Sequence, residues 1–260
     1  MLIAGISPAY AFDLEPWRQH DAESRTVVDH AEWANLLNQY VIPGQNGIRR
    51  FDYGHFSQRS KAALERYLQH LQRVDLPSLN RNEQFAYWVN LYNAATIKVV
   101  TDHFPVTSIR NIDISPGLFS KGPWQAKILT VLGQPLSLDN IEHDILRPIW
   151  RDPRIHYVVN CASMGCPNLA ATPFEGHGLE ARLEKSARAY VNHPRGSRVT
   201  DGILTASRIY QWYQDDFGGS DAAAIRHLAE YATGDLADAL TNADEIDRYE
   251  YDWSLNDVDE

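Results

Sequence analysis

The stretch NRNEQFAYWVNLYNAATIKVVTDHF, residues 80–104, decides the fold. Asn80 followed three residues later by Glu83 is a capping-box pattern, so a helix starts here. Phe85, Trp88, Val89, Tyr92, Ile97 and Val100 spread apolar surface almost all round that helix. A helix without a polar face is buried and central. Two amides, Asn90 and Asn93, sit inside it. Buried amides need hydrogen-bond partners, either neighbouring backbone or a functional site.

Amphipathic helices surround this element. TVVDHAEWANLLNQYV (26–41) places Val27, His30, Trp33, Leu37 and Tyr40 on one face, and Pro43-Gly44 stops it. FSQRSKAALERYLQHLQRV (56–74) has Ser57 as its N-cap and a stripe of Leu64, Leu68, Leu71 and Val74. After Pro105, short strands mix with helices. KILTVLGQPLSL (127–138) and SRVTDGILTAS (197–207) read as hairpins turning at Gly133-Gln134 and Asp201-Gly202. SLDNIEHDILRP (137–148) reads as a short helix capped by Asp139 and ended by Pro148. RIHYVVN (154–160) reads as a strand, and alternating Tyr249, Tyr251 and Trp253 predict an edge strand at the end. No glycine-rich nucleotide loop or βαβ succession appears. The expected fold is one α+β domain over residues 12–260, its helical N-terminal half packed on a small antiparallel sheet.

A hydrophobic share of 44%, with seven Trp and thirteen Tyr in 260 residues, supports a substantial core. The net charge of −10 argues against general affinity for nucleic acid or anionic lipid. MLIAGISPAYA (1–11) ends in Ala9-Tyr10-Ala11, a signal-peptidase pattern, behind an apolar segment too short to span a membrane. It reads as the tail of a secretory signal cleaved after Ala11, which places the mature chain in a periplasm or outside the cell. A disulfide is permitted there.

Both cysteines lie in RIHYVVNCASMGCPNL (154–169), at Cys161 and Cys166. Three readings are open. Cys161, at the C-terminal end of the 154–160 strand, is placed as a nucleophile, with His143 as its base. The pair can instead close a structural disulfide in a non-catalytic envelope module whose aromatic residues line a ligand groove. Or the cysteines supply half of a zinc site completed by His143 or His156, although C-x4-C lacks the usual spacing. The first two readings require no metal or other cofactor. Arg147 has a fork suited to a substrate carboxylate, or is a cation near a helix C-terminus.

Four blocks, AYWVNLYNA (86–94), LSLDNIEHDILRP (136–148), DPRIHYVVNCASMGCPNL (152–169) and IYQWYQDDFG (209–218), together resemble domain of unknown function family 547 over about residues 80–220. YDWSLN (251–256) resembles the end of its bacterial exported members. The resemblance carries over shared polar positions at Asn90, Tyr92, Asn93, His143, Arg147, Asn160, Cys161, Ser163, Cys166, Pro167 and Trp212. The family is also similar to papain-like and transglutaminase-like cysteine hydrolases. That likeness implies a Cys–His pair with an orienting Asn or Asp, here in the permuted order Asn, His, Cys.

The resulting expectation is a cysteine-dependent acyl hydrolase or transferase acting on a peptide, amide or thiol-containing substrate, either a small molecule or a peptide. Cys161, His143, Asn90 and Asn93 would be its catalytic set, and Arg147, Asn160, Tyr92, Ser163 and Trp212 would bind substrate.

Overall fold

In the computed structural model, which describes residues 12–117 and 121–258, the chain is built around the helix Arg81–His103. Its N-cap is Asn80, whose side chain accepts from the Glu83 N–H. Glu83 does not complete the capping box. Its buried carboxylate instead accepts from the backbone N–H groups of Val28 and Gly176, tying two distant loops to the helix start. All but five of the helix's 23 residues are buried, which the absence of a polar face predicts.

Helix Ala31–Tyr40 packs on helix Gln58–Leu71, which packs beside the central helix and is capped by Ser57 as expected. The first begins later than its periodicity suggests, so His30 is its N-cap and Val27 is exposed. These elements and the segment up to Leu183 form one apolar cluster. A second cluster joins helices Leu179–Val191 and Asp221–Tyr231 to the hairpin Ser197–Thr200/Ile203–Ser207.

The strands form three small sheets. Val41–Pro43 pairs with Arg49–Phe51, and Leu129–Val131 with Gln134–Leu136, both antiparallel. In the third sheet the 197–207 hairpin takes Arg248–Glu250 as a parallel edge. The α+β class stands. The 127–138 hairpin turns one residue earlier than expected, at Leu132-Gly133, where both residues have positive φ as a type I′ turn requires.

Residues 154–160 are not a strand. Pro153–Tyr157 is a 3₁₀ turn opened by the Asp152 side chain, which accepts from the Arg154 N–H. Ile155, Val158 and Val159 enter the first cluster while Tyr157 enters the second. The segment threads between two cores and is buried on every side, so its alternation marks two apolar environments rather than two faces of a sheet. Residues 137–150 also depart from expectation. Ser137, not Asp139, caps the turn, and Asn140–Leu146 is a π-helix continued by Arg147–Trp150. Wide turns of this kind are frequent at functional sites.

Among the described residues no helix is long and apolar enough to cross a membrane. The Ala9-Tyr10-Ala11 pattern lies outside them.

Candidate functional site: a dithiol at the floor of an aromatic cavity

Where the two apolar clusters meet, the structure leaves a cavity of about 300 Å³. Cys161 and Cys166 both line it, as do Tyr92, Asp139, His143 and Trp212. Two consecutive asparagine clamps hold the cysteine loop. Asn93 accepts from the Asn160 N–H (2.8 Å) and donates to the Val158 carbonyl (2.9 Å). Asn160 in turn accepts from the Ala162 N–H and donates to the Pro167 carbonyl. Ala162 lies in the left-handed region, at φ 58°, and the chain doubles back so that the two sulfurs meet.

Both cysteines are free thiols. The Cys161 backbone N–H donates to Cys166 Sγ at 2.9 Å. Tyr251 Oη lies 3.3 Å from Cys166 Sγ, 3.0 Å from Cys161 Sγ and 2.8 Å from Ser163 Oγ. A phenol has one proton to give. Donated to Cys166, it leaves the Tyr251 oxygen to accept from Ser163 or Cys161. Burial alone would raise the Cys166 thiol, but donors from Cys161, Tyr251 and Ser163 bring it down to about 7. The hydrogen bond to Cys166, with burial, holds the Cys161 thiol well above its ordinary value. The pair therefore shares one proton, and its thiolate rests on Cys166.

Beside the thiols lies a titratable cluster. Buried His156 donates from Nε2 to Asp216 (2.6 Å), faces Glu142 at 3.6 Å and stacks on Tyr213 with centroids 4.0 Å apart. Burial opposes ionisation of Glu142, but His156, His143 and Tyr92 outweigh it and hold the carboxyl at about 2. Burial likewise opposes the charged form of His156, and Asp216 and Glu142 raise its value nonetheless. Arg147 closes the cluster with a two-pronged contact to Asp216, Nε at 2.5 Å and Nη2 at 3.0 Å. Its fork is thus occupied inside the protein, and Arg147 does not line the cavity.

His143 is half-buried at the cavity wall. Its Nε2 lies 3.8 Å from Asp139, and its Nδ1 lies 3.3 Å from Arg147. Among the described residues no hydrogen bond joins it to either thiol. Burial raises the Asp139 carboxyl, against the pull of the His143 charge. Trp124, Trp212, Tyr213, Tyr251 and Trp253 form the aromatic wall, with Tyr251 touching both Trp212 and Trp253.

Residues 76–191 match the family described as Protein of unknown function, DUF547. The match contains both cysteines, the two asparagine clamps, Asp139, Glu142, His143 and His156. The DUF547 region thus carries the thiols and most of the titratable groups. Asp216 and the wall residues Trp212, Tyr213, Tyr251 and Trp253 come from the chain beyond it. No curated protein and no solved structure matches the chain.

Several residues expected at the site are placed elsewhere. Asn90 spends both ends of its amide on the backbone of Phe174, at 2.8 and 3.0 Å, with His30 as a further neighbour. Asn93 and Asn160 are consumed by the clamps. None of the three lines the cavity, because the amide of each is turned to backbone groups. Ser163 touches Cys161 and Tyr251 from behind. Conversely, Glu142, Asp216, Tyr213 and Tyr251 belong to the site without having been singled out. His156 was visible as an ionisable residue between the apolar residues Ile155 and Tyr157–Val159. Among the described residues no group of three or more His, Cys, Asp and Glu is arranged to hold a metal ion.

Proposed function

We propose that the chain is a thiol-dependent acyl hydrolase or transferase working in the aromatic cavity. One observation carries this reading: a free dithiol, with one thiol lowered to about 7, shares a cavity with an Asp139–His143 pair. A thiolate at neutral pH is the nucleophile that acyl transfer needs. The sulfur attacks an amide, peptide or thioester carbonyl, and a thioester to the protein forms as the leaving group departs. His143 supplies the leaving group's proton and then draws one from the incoming water or acceptor. Asp139 orients its ring. The Tyr251 hydroxyl, on the cavity wall, supplies a donor beside the developing oxyanion. The cavity's size and largely apolar wall suit a small acyl group or the tip of a peptide.

Cys161 is the more exposed thiol and Cys166 the more acidic one. The nucleophile is therefore assigned to the pair, with Cys166 holding the negative charge at rest. The likeness to papain-like and transglutaminase-like hydrolases rests on the sequence resemblance alone. Export to a periplasm or beyond is part of the same proposal and rests on the Ala9-Tyr10-Ala11 pattern.

The test is incubation with a small set of activated acyl esters and acyl thioesters, followed by intact-mass measurement and peptide mapping. An acyl adduct on Cys161 or Cys166, absent from the Cys161→Ala/Cys166→Ala variant, supports the reading. Protein with no free thiol after purification without reductant supports the rival envelope module with a structural disulfide.

A further inference from the structure

A second cavity, of about 320 Å³, lies behind the cysteine loop and shares no lining residue with the first. Its walls carry Arg49, Arg182, Lys185 and Arg195 and no aspartate or glutamate. Four cations without a carboxylate in the lining are unexpected in a chain of net charge −10. Arg182 and Lys185 lie three residues apart on helix Leu179–Val191, so their charges face the same side. Such like-charged neighbours repel unless an anion sits between them. Glu175 acts on Arg182 from outside the lining.

The site is also built. Asn168 Oδ1 accepts from the Arg49 N–H and from Arg195 Nη2, each at 2.7 Å, which fixes strand Arg49–Phe51 against Arg195. Arg195 Nη1 donates to the Met164 carbonyl, and its guanidinium lies over the Tyr190 ring. Arg195 Nε is buried and has no hydrogen-bond partner among the described residues. A buried guanidinium N–H left unpaired costs free energy and marks a place where an acceptor belongs. The guanidinium of Arg49 and the ammonium of Lys185 are not spent on any carboxylate among the described residues.

We infer that this cavity binds a small, multiply charged organic anion, a phosphate ester or a polycarboxylate. Guanidinium forks match the paired oxygens of both groups. The cavity volume leaves room for the organic part of a small ligand. The ligand would sit against Arg195, which holds the Met164 carbonyl two residues before Cys166, and so beneath the loop that carries the dithiol.

Titration calorimetry at fixed ionic strength, with pyrophosphate and citrate as probes, tests this on the full chain. Saturable one-site binding of either anion is expected, and the tighter probe tells phosphate from carboxylate. Arg49→Gln/Lys185→Gln should weaken it about tenfold or more, the loss expected for charge-assisted contacts. Those two side chains make no hydrogen bond among the described residues, so an unchanged melting temperature confirms that the variant is folded. Arg73→Gln, an exposed arginine outside the lining, should bind as wild type does. Absence of binding at millimolar probe, binding unaffected by the double substitution, or an equal loss in Arg73→Gln would overturn the inference.

Discussion

Tyr251 donates to Cys166 Sγ across 3.3 Å, although the two residues are 85 positions apart. That contact, with the Cys161 N–H, makes the lower thiol of the pair acidic. Tyr251→Phe removes one of the donors that stabilise the thiolate. The pH at which alkylation half-saturates should therefore rise from about 7 in that variant. Stopped alkylation across a pH series reads this directly, and an unchanged midpoint would show that Tyr251 does not act on the thiol.

His143→Ala should slow acyl turnover by about 10²- to 10⁴-fold, the usual contribution of a positioned acid–base group. Because the ring is part-exposed and makes no buried contact essential to the core, thermal stability should change little. Equal losses of activity and stability would reassign His143 to a structural role.

Glu142 and His156 give a pH signature in stability. Glu142 titrates at about 2 in the folded chain, against an ordinary value of 4.5. Its contribution is fully present above the ordinary value and is lost as pH falls through the folded one. His156 is raised, so its contribution is fully present below 6.5 and is lost as pH rises through its folded value. Melting temperature should therefore climb between about pH 3 and pH 5, and Glu142→Gln should flatten that climb. A wild-type curve already flat over this range would contradict the assignment. Removing His156 leaves two carboxylates without their shared cation. His156→Phe should destabilise by about 3–5 kcal/mol, as breaking a buried ionic cluster does.

The clamp residues should behave differently from the cavity residues. Asn93→Ala strands the Asn160 N–H and the Val158 carbonyl in the interior, at about 1–3 kcal/mol for each group. Denaturant unfolding should show this loss. Thiol acidity in whatever fraction remains folded should shift as well, since the clamp sets the turn that brings the sulfurs together. Gly165→Ala tests the same turn from the other side. A Cβ there would stand 2.9 Å from the Asp252 N and 3.0 Å from the Tyr251 ring, so the segment carrying Tyr251 must move away. Slower alkylation at neutral pH is the expected reading.

The local elements were legible where one rule governed them. Asn80 and Ser57 cap their helices, the 197–207 hairpin turns at Asp201-Gly202, and the helix without a polar face is central. Residues 154–160 misled because alternation has two causes. Here the neighbouring environments are two cores rather than a core and solvent, and Pro153 sets a 3₁₀ turn. The same ambiguity affected Tyr249, Tyr251 and Trp253. Only Arg248–Glu250 is strand, and beyond it Tyr251 and Trp253 turn into the cavity.

The cysteine stretch and His143 could be picked out from the sequence, and the structure places them on one cavity. Their partners could not be picked out, because they arrive by long-range pairing. Gly165 and Met164 bond to Asp252 and Ser254, and Asp216 reaches His156 from 60 residues away. Periodicity reports which residues are buried, not which buried residues meet. For the same reason the buried amides of Asn90 and Asn93 could not be assigned until their backbone partners were seen.

The account's central claim is that Cys161 and Cys166 form a free dithiol with its negative charge on Cys166. Limited alkylation with iodoacetamide, in protein purified without reductant, tests it when each site is followed by peptide mass spectrometry across pH. The predicted result is two free thiols, with Cys166 modified along a curve centred at about pH 7 and Cys161 protected until far higher pH. A Cys161–Cys166 disulfide, or two thiols titrating together in the ordinary range of cysteine, would contradict it.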